Sequence, residues 1–304
     1  MKHIIGHKNP DTDTTCSGIA YQNFLAKQGI EAQAFSLGEL NKETEFVLEQ
    51  FGVEAPEQIT ELPHGTEIIL LDHNEERQSI DNIKDLDIVE IIDHHKVKIE
   101  TDKPISIFIK PLGSSCSIIA EKYFDTKTEL TKSIAGILLS GIISDTLFFR
   151  SPTTTDVDRE LVEKLNDIVG IDDLEQFSLD LFNAKSDLGD IGTEDLIRLD
   201  YKTFDFSDGT YGIGVMETTN IDFGLDRKDE IVAKLKEIKV KDGLQGVFFI
   251  IVDILNEKSY TLCADDDGIA LFTRLFDVKN QDGVLFVDNL VSRKKQIIPV
   301  FENM

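Results

Sequence analysis

Residues 67–73 read Glu-Ile-Ile-Leu-Leu-Asp-His, and residues 88–95 read Ile-Val-Glu-Ile-Ile-Asp-His-His. Each is a nearly continuous run of β-branched and leucine side chains that ends in an aspartate and a histidine. Apolar runs without alternation are typical of strands covered on both faces, as in a parallel sheet. Further strands are predicted at 3–6 and 31–37, with a helix at 15–28 between them. This alternation predicts an α/β fold whose N-terminal domain is doubly wound around a mainly parallel sheet.

The second half of the chain predicts a different arrangement. Residues 116–184 show mainly helical spacing, and Asp145 extends a buried apolar face of one helix, where a carboxylate is costly unless it is compensated. Residues 185–195 are polar, contain two glycines and resemble an exposed connection. Strands near 202–206, 211–216, 246–252 and 259–264, with a helix at 227–239, predict a smaller C-terminal α/β domain. We therefore expect domains at 1–186 and 195–304, joined by a linker or hinge at 187–194.

The charge of the chain restricts its partners. The 304 residues include 57 acidic and 31 basic side chains, which gives a formal charge of −26. The length suggests two domains, each large enough to bury its own core. So negative a surface repels nucleic acid, and an anionic substrate would require a local concentration of positive charge.

Cysteine usage and hydropathy suggest a compartment. Cys16, Cys116 and Cys263 are widely separated and form no CxxC pair, which disfavours a disulfide framework and fits a reducing compartment. The N-terminal segment lacks the apolar region of a signal peptide, and no run approaches the ~20 apolar residues of a membrane helix. We expect a cytoplasmic protein with neither a membrane nor a nucleic acid as partner.

Histidines and aspartates are concentrated in three short segments, residues 7–13, 72–74 and 93–95, and each directly follows a predicted strand. The carboxyl ends of parallel strands face one crevice, which is where ligands bind in such sheets. We expect this crevice to bring together six side chains: His7, Asp11, Asp13, Asp72, His94 and Asp145.

The donor set indicates the kind of ion. Four carboxylates and two imidazoles without a thiolate favour Mn²⁺, Co²⁺ or Mg²⁺. Six ligands are too many for one ion that must also bind water and substrate, but they suit two ions about 3.5–4 Å apart that share a carboxylate. A water held by both ions would lose its proton near neutral pH and act as the nucleophile.

Each segment also has a simpler interpretation. Asp13 or Thr14 can cap the helix at 15–28. The histidine pair at 94–95 can arise by chance on a solvated loop, and Asp145 can pair with a neighbouring Lys or Arg. Four such features, each behind an apolar element, together favour the metal interpretation.

Residues 291–296, Val-Ser-Arg-Lys-Lys-Gln, place three consecutive cations in this acidic chain. The simpler hypothesis is a solvated, charged edge of a terminal strand. The alternative is a phosphate clamp, in which Arg293 offers a planar fork and Lys294 a point charge, joined by Lys202. Cations on one domain that face the metal crevice of the other would place the active site in the cleft between the domains.

Several common catalytic motifs do not occur in the sequence. It contains no P-loop, no dinucleotide fingerprint, no G-x-S-x-G nucleophile elbow and no cysteine with a matching histidine signature. Metal-assisted hydrolysis at phosphorus remains as the leading chemistry.

The motifs together resemble the family II inorganic pyrophosphatases of the DHH superfamily. The resemblance rests on residues 7–13, 72–75, 93–95, 141–145 and 292–296, which occur in the family's order over essentially the whole chain. It implies hydrolysis of pyrophosphate to two orthophosphates by two Mn²⁺ or Co²⁺ ions, with additional Mg²⁺ arriving with the substrate. It also implies a homodimer joined through the N-terminal domains, in which the C-terminal domain closes on the substrate.

The resemblance also implies a role for each matching residue. One ion takes His7, Asp11, Asp72 and Asp145, and the other takes Asp13, His94, Asp72 and Asp145. Lys202, Arg293 and Lys294 hold the phosphoryl groups, and His95 is a catalytic residue that contacts the substrate. The short segment between Asp93 and Asp145 leaves no room for the regulatory nucleotide-binding insertion of some members.

Two other functions stay open. A DHH phosphodiesterase, acting on short oligonucleotides, cyclic dinucleotides or a nucleotide bisphosphate, would have a similar metal half. Such enzymes typically carry a glycine-rich GGGH-type loop in the C-terminal domain, which this sequence lacks. A non-catalytic module that senses phosphate or metal would be favoured by loss of a metal ligand, and the sequence retains all six.

Overall fold

Two six-stranded sheets organise the chain, one in each of two units, Met1–Ala184 and Lys185–Met304. The computed structural model describes residues 1–101 and 103–303. The mixed α/β prediction is confirmed for both units. The predicted limits of 1–186 and 195–304 and the hinge at 187–194 stay predictions, and residues 193–194 lie in a helix that begins at Thr193.

The first unit alternates strands and helices. Its elements are β1 (Lys2–Ile5), α1 (Thr12–Lys27), β2 (Ala32–Ser36), α2 (Lys42–Phe51), β3 (Glu57–Gln58), β4 (Glu67–Leu71), β5 (Asp87–Asp93), β6 (Ser106–Ile109), α3 (Ser115–Thr126), α4 (Lys132–Thr146), α5 (Asp156–Val169) and α6 (Leu174–Ser186). Short 3₁₀ turns at Glu76–Gln78 and Ile83–Asp85 lie between β4 and β5.

The first sheet has the order β3-β2-β1-β4-β5-β6, and all its pairs are parallel. The apolar runs that predicted the sheet are its centre, since residues 68–71 of β4 are fully buried. Strand order reverses between β1 and β4, which is where doubly wound sheets open a crevice at the carboxyl ends of the strands. Helices α3 and α4 pack against α1 and against each other.

Helix α1 begins three residues before its predicted start. Its N-cap is Asp11, whose Oδ1 accepts a 2.8 Å hydrogen bond from the Thr14 backbone N–H. The prediction that Asp13 or Thr14 caps this helix is therefore wrong. Because Asp11 satisfies the helix end, Asp13 lies inside the first turn and its carboxylate is available to other partners.

The second unit has a mixed sheet. Its strands are β7 (Tyr201–Phe206), β8 (Gly209–Thr218), β9 (Gly246–Asp253), β10 (Lys258–Cys263), β11 (Asn280–Gln281) and β12 (Val284–Asp288), and its helices are α7 (Thr193–Arg198), α8 (Asp222–Leu225), α9 (Lys228–Lys241), α10 (Asp266–Phe276) and α11 (Ile298–Glu302). The order is β11-β12-β10-β9-β8-β7, with β8 and β9 parallel and the other pairs antiparallel. The strand predicted near 246–252 is observed as β9, and all of its residues are buried.

Within the described residues, no helix is both long and apolar enough to cross a membrane. The three cysteines are free and buried.

Candidate metal centre

The predicted metal ligands lie together at the carboxyl edge of the first sheet. His7 follows β1, Asp72 follows β4, and His94 follows β5, so three adjacent parallel strands end at the same place. Asp11 and Asp13 come from the start of α1, and Asp145 comes from the last turn of α4. Asp72 has a φ of +62°, in the left-handed region that is uncommon for non-glycine residues, although aspartate adopts it more readily than most.

The Asp72 carboxylate faces a different imidazole with each oxygen. Its Oδ2 lies 3.5 Å from His7 Nε2, and its Oδ1 lies 3.4 Å from His94 Nε2. His7 Nε2 is also 3.3 Å from Asp11 Oδ2, and His94 Nε2 is 3.4 Å from Asp145 Oδ2. The Asp145 side chain is 33% exposed rather than fully buried.

Among the described residues, three groups of side chains are close enough to hold a metal ion, with their donor atoms within 4.8 Å of one another. These groups are His7 with Asp11 and Asp72; Asp13 with His94 and Asp145; and Asp72 with His94 and His95. The structure thus brings together all six predicted ligands. The interpretation of the histidine pair as a solvated loop is wrong for His94, which is 6% exposed.

The electrostatics of this cluster fit a divalent cation. Burial, together with the charges of Asp72 and Asp11, raises the pKa of Asp13 well above its usual range. Burial lowers the pKa of His7, but the charge and hydrogen bond of Asp11, together with Asp72, outweigh burial and raise it to about 10. Protons are therefore drawn into a site of excess negative charge, and a divalent ion bound by carboxylate oxygens and imidazole nitrogens would compensate the same charge.

The N-cap and the first residues of α3 hold two of the carboxylates. Ser114 Oγ and the Cys116 N–H donate to Asp13 Oδ1 over 2.5 and 2.8 Å, and the Ser115 N–H donates to Asp13 Oδ2 over 2.7 Å. Ser115 Oγ donates to Asp72 Oδ1 over 2.9 Å. The sequence shows a turn of small residues there but not its role. A Gly-Ser-Ser turn opening a helix, with its free N–H groups, is the signal that could have found it.

His94 and His95 each have a hydrogen-bond acceptor close to Nδ1, which orients the ring. His94 Nδ1 lies 3.0 Å from the Leu112 carbonyl oxygen, which leaves Nε2 as the nitrogen that faces the carboxylates. His95 Nδ1 lies 2.8 Å from Asp93 Oδ1. Although burial opposes ionisation of Asp93, the hydrogen bond and charge of His95 lower its pKa to about 2. A fixed tautomer of this kind is typical of imidazoles that bind metals or substrates.

Glu43 is a buried carboxylate that sequence reasoning missed. Its Oε2 accepts 2.8 Å hydrogen bonds from Thr12 Oγ1 and Ser144 Oγ. Thr12 lies between Asp11 and Asp13, and Ser144 precedes Asp145, so Glu43 connects the first turn of α1 with the last turn of α4. Nothing in the spacing of α2 distinguishes Glu43 from the other acidic residues around it.

The predicted phosphate-binding cations lie in the second unit. Arg293 Nη2 is 2.5 Å from Asp200 Oδ1, and Arg293 Nη1 donates to the carbonyl oxygens of Asp200 and Ile213 over 2.7 and 3.2 Å. Lys202 on β7 is paired in register with Ile213 on β8, and the Ile213 carbonyl oxygen accepts from Arg293. Desolvation opposes ionisation of Asp200, but the charges of Arg293 and Lys202 outweigh it and lower its pKa to about 2.

Residues 293–297 form a π-helical turn, so the interpretation of these cations as a charged strand edge is wrong. Gln296 Oε1 accepts hydrogen bonds from the Val291 and Ser292 N–H groups, both 2.9 Å long, and so closes the turn that begins after Ser292. Lys294 lies within this turn, directly after Arg293.

Comparisons with known proteins cover both units. Residues 3–142 match the model of the DHH family, N-terminal domain, and residues 179–304 match that of the DHHA2 domain. The manganese-dependent inorganic pyrophosphatase of Methanocaldococcus jannaschii is 41% identical over 310 residues, which cover 99% of this chain and 98% of that protein. A Deinococcus radiodurans protein named "Probable manganese-dependent inorganic pyrophosphatase" is 40% identical over 307 residues, with the same coverage.

A solved structure agrees with these relatives. The crystal structure of a Methanococcus jannaschii protein assigned to the family II inorganic pyrophosphatases superposes with a TM-score of 0.89 at 41% identity, and it covers 100% of this chain and 99% of that one.

Proposed function

Because the chain belongs to the manganese-dependent inorganic pyrophosphatases of the DHH family, we propose that it hydrolyses pyrophosphate to two orthophosphates at a centre for two Mn²⁺ ions. One observation carries the proposal. The two oxygens of the buried Asp72 face His7 and His94 separately, as a carboxylate shared by two ions must. The relatives' names support Mn²⁺ as the resident ion, and Co²⁺ is the alternative with the same donor preferences.

The ligands divide into two sets. We assign His7 and Asp11 to one ion and Asp13 and His94 to the other, with Asp72 and Asp145 shared. The short distances within the group of His7, Asp11 and Asp72 and within the group of Asp13, His94 and Asp145 support the assignment of the unshared ligands, and the sharing of Asp145 follows from the resemblance to the family. Once bound, the ions would supply Lewis acidity to an attacking water and to the phosphoryl oxygens, and additional Mg²⁺ would enter with the substrate.

The protein's own groups hold these ligands in place. The Thr14 and Ser115 hydroxyls donate to opposite oxygens of Asp72, so the plane of that carboxylate is fixed. The Leu112 carbonyl fixes the ring of His94. Prepositioned ligands of this kind reduce the reorganisation that metal binding and catalysis require.

We assign the pyrophosphate-binding role to Lys202, Arg293 and Lys294, with His95 as the catalytic residue that contacts the substrate. Asp200 supports this role for Arg293, because it holds one edge of the guanidinium and leaves a planar group of fixed orientation. Asp93 holds His95 in the same manner. These cations provide the local positive charge that a dianionic or more highly charged substrate needs against a net charge of −26.

We further propose that the protein is a cytoplasmic homodimer joined through its N-terminal unit. Strand β6 is the last strand of the first sheet, and its Ile107 and Phe108 are 48% and 42% exposed. An apolar strand at a sheet edge is a ready surface for pairing with a second copy. Three free, buried cysteines fit a reducing compartment.

Phosphate release tests the function. The metal-stripped protein is supplied with Mn²⁺ and offered pyrophosphate, a short oligonucleotide or a nucleotide bisphosphate, with chelator as the control. We expect rapid, chelator-sensitive release from pyrophosphate alone. Cleavage of the oligonucleotide to shorter nucleotides, followed by chromatography, or phosphate release from the bisphosphate would establish the phosphodiesterase function instead, and no reaction of any of the three substrates would establish the binding module.

A further inference from the structure

Asp158 is a fully buried carboxylate outside the metal cluster. It lies in the first turn of α5, and it is 0% exposed. Both of its oxygens accept from the Gly113 N–H, over 3.1 and 2.9 Å, and Oδ1 also accepts from Ser117 Oγ over 2.5 Å. Oδ2 also accepts from the backbone N–H and the hydroxyl of Thr155, both over 2.7 Å.

The partners of Asp158 enclose the loop that holds the metal ligands. Gly113 and Ser117 stand on either side of Ser114, Ser115 and Cys116, which supply the three hydrogen bonds to Asp13. Residues 113–117 are therefore held at both ends by one buried carboxylate. They cannot shift without breaking hydrogen bonds, and no solvent is present there to replace those bonds.

Gly113, the first residue of this segment, also lies very close to Thr146 and Asp158. A Cβ atom on Gly113 would be 2.6 Å from Thr146 Cγ2 and 2.8 Å from Asp158 Oδ2. Only glycine permits this approach, and it brings the loop against the residue that follows Asp145. Asp158 therefore affects the orientation of Asp13 through direct contacts: it holds Gly113 and Ser117, and the three residues between them donate to Asp13.

We propose that Asp158 is a positioning residue for the ion that uses Asp13. It fixes residues 113–117, and these orient the Asp13 carboxylate by three donors, whereas Asp72 receives one donor from this loop and another from Thr14. The ion that uses His7 and Asp11 is linked to residues 113–117 by a single hydrogen bond, from Ser115 Oγ to the shared Asp72, and its own ligands His7 and Asp11 receive none of the three donors to Asp13. The inference rests on the proposed two-ion centre and predicts that the two sites respond differently to a change at Asp158.

A purely structural role for Asp158 makes a different prediction. Asp158 and Thr155 form a capping box at the start of α5, so loss of Asp158 also removes a helix cap. Thr155→Ala removes that cap and one bond to Asp158 while it leaves the bonds to Gly113 and Ser117. It is the matched control. Ser117→Ala is the complementary variant, since it removes one link to the loop and leaves the cap intact.

The experiment is a calorimetric titration of Mn²⁺ into the metal-stripped full chain, with thermal unfolding measured on the same samples. We expect Asp158→Asn to weaken one of two Mn²⁺ sites about 10-fold, the lower end of the effect of losing a direct partner of a metal ligand, because Asp158 acts through residues 113–117. Ser117→Ala should weaken the same site to a smaller extent. Thr155→Ala should lower the unfolding temperature and leave both sites unchanged.

Four outcomes decide the matter. The expected pattern, in which Asp158→Asn and Ser117→Ala weaken one site and Thr155→Ala weakens neither, supports the inference. If Asp158→Asn binds Mn²⁺ at both sites as tightly as the wild type, the inference is overturned and the proposed function stands. If Asp158→Asn does not fold, wild-type affinities in Ser117→Ala have the same consequence. Equal weakening by Thr155→Ala would also overturn it and assign the effect to the helix cap. A wild-type protein that binds no Mn²⁺ would overturn the proposed function and this inference with it.

Discussion

Asp72→Asn removes one charge from the carboxylate that faces both halves of the cluster while it keeps the shape of the side chain. Asp72 is 2% exposed and accepts from the Thr14 and Ser115 hydroxyls. Either hydroxyl can rotate to accept from the new amide, and the lost attraction to the protonated His7 is partly offset by relief of the repulsion from Asp11 and Asp13, so the metal-free protein should still fold.

The effect on metal binding should be much larger. Two unit charges about 4 Å apart interact by about 4 kcal/mol at the effective dielectric constant of ~20 that suits partly buried sites. A loss of that size corresponds to about 10³ in a dissociation constant. Since one oxygen of Asp72 lies near His7 and the other near His94, both Mn²⁺ affinities should fall by this order. Pyrophosphate hydrolysis should fall with them.

Calorimetric titration of Mn²⁺ measures both affinities, and Asp11→Asn is the matched control. Asn is as good an N-cap as Asp, so α1 keeps its cap, and Asp11 belongs only to the group with His7 and Asp72. The control should therefore weaken one site. If Asp72→Asn also weakened only one site, or neither, the shared-carboxylate reasoning would be refuted.

Four further predictions follow from the described contacts. His94→Gln should weaken one Mn²⁺ site and leave the other as in the wild type; two unchanged sites in calorimetry would contradict this. Lys294→Ala should leave Mn²⁺ binding intact while raising KM or lowering kcat several-fold, and unaltered steady-state kinetics would remove this residue from the substrate site. Asp200→Asn should raise KM for pyrophosphate about fivefold with unchanged Mn²⁺ binding, because the half-exposed ion pair that orients Arg293 contributes about 1 kcal/mol. His7, whose pKa is raised to about 10 because Asp11 and Asp72 outweigh its burial, is protonated at pH 7 in the metal-free protein. Mn²⁺ must displace that proton, so affinity should rise with pH below 10, and titrations in two buffers of different ionisation heat should detect the released proton; identical heats would exclude it.

The strands that carry the site could be predicted because each leaves a direct mark in the sequence. The run at 68–71 is buried on both faces and is followed immediately by Asp72. Parallel pairing then requires the ends of β1, β4 and β5 to coincide, so local pattern and a general rule together suffice. Strand β6 was not predicted. Three of its four residues are exposed, so its sequence lacks the apolar run of a buried strand.

The groups that hold the ligands could not be predicted from spacing. Asp158 contacts Gly113 across 45 residues, and Glu43 contacts Ser144 across 101 residues. Both look like ordinary acidic positions on amphipathic helices, and only the packed structure shows that they are buried with several donors. The cap of α1 could not be chosen from the sequence for a related reason. In Asp11-Thr12-Asp13-Thr14 all four residues are good N-caps, and the structure shows Asp11 as the cap while Asp13 accepts from the start of α3.

Anomalous diffraction at the manganese edge, from crystals of the Mn²⁺-loaded protein, is the most direct test of the shared two-ion centre. We predict two peaks about 3.5–4 Å apart at the carboxyl edge of the first sheet, one beside His7 and one beside His94, with Asp72 touching both. A single peak, or peaks at which Asp72 contacts only one ion, would contradict the account.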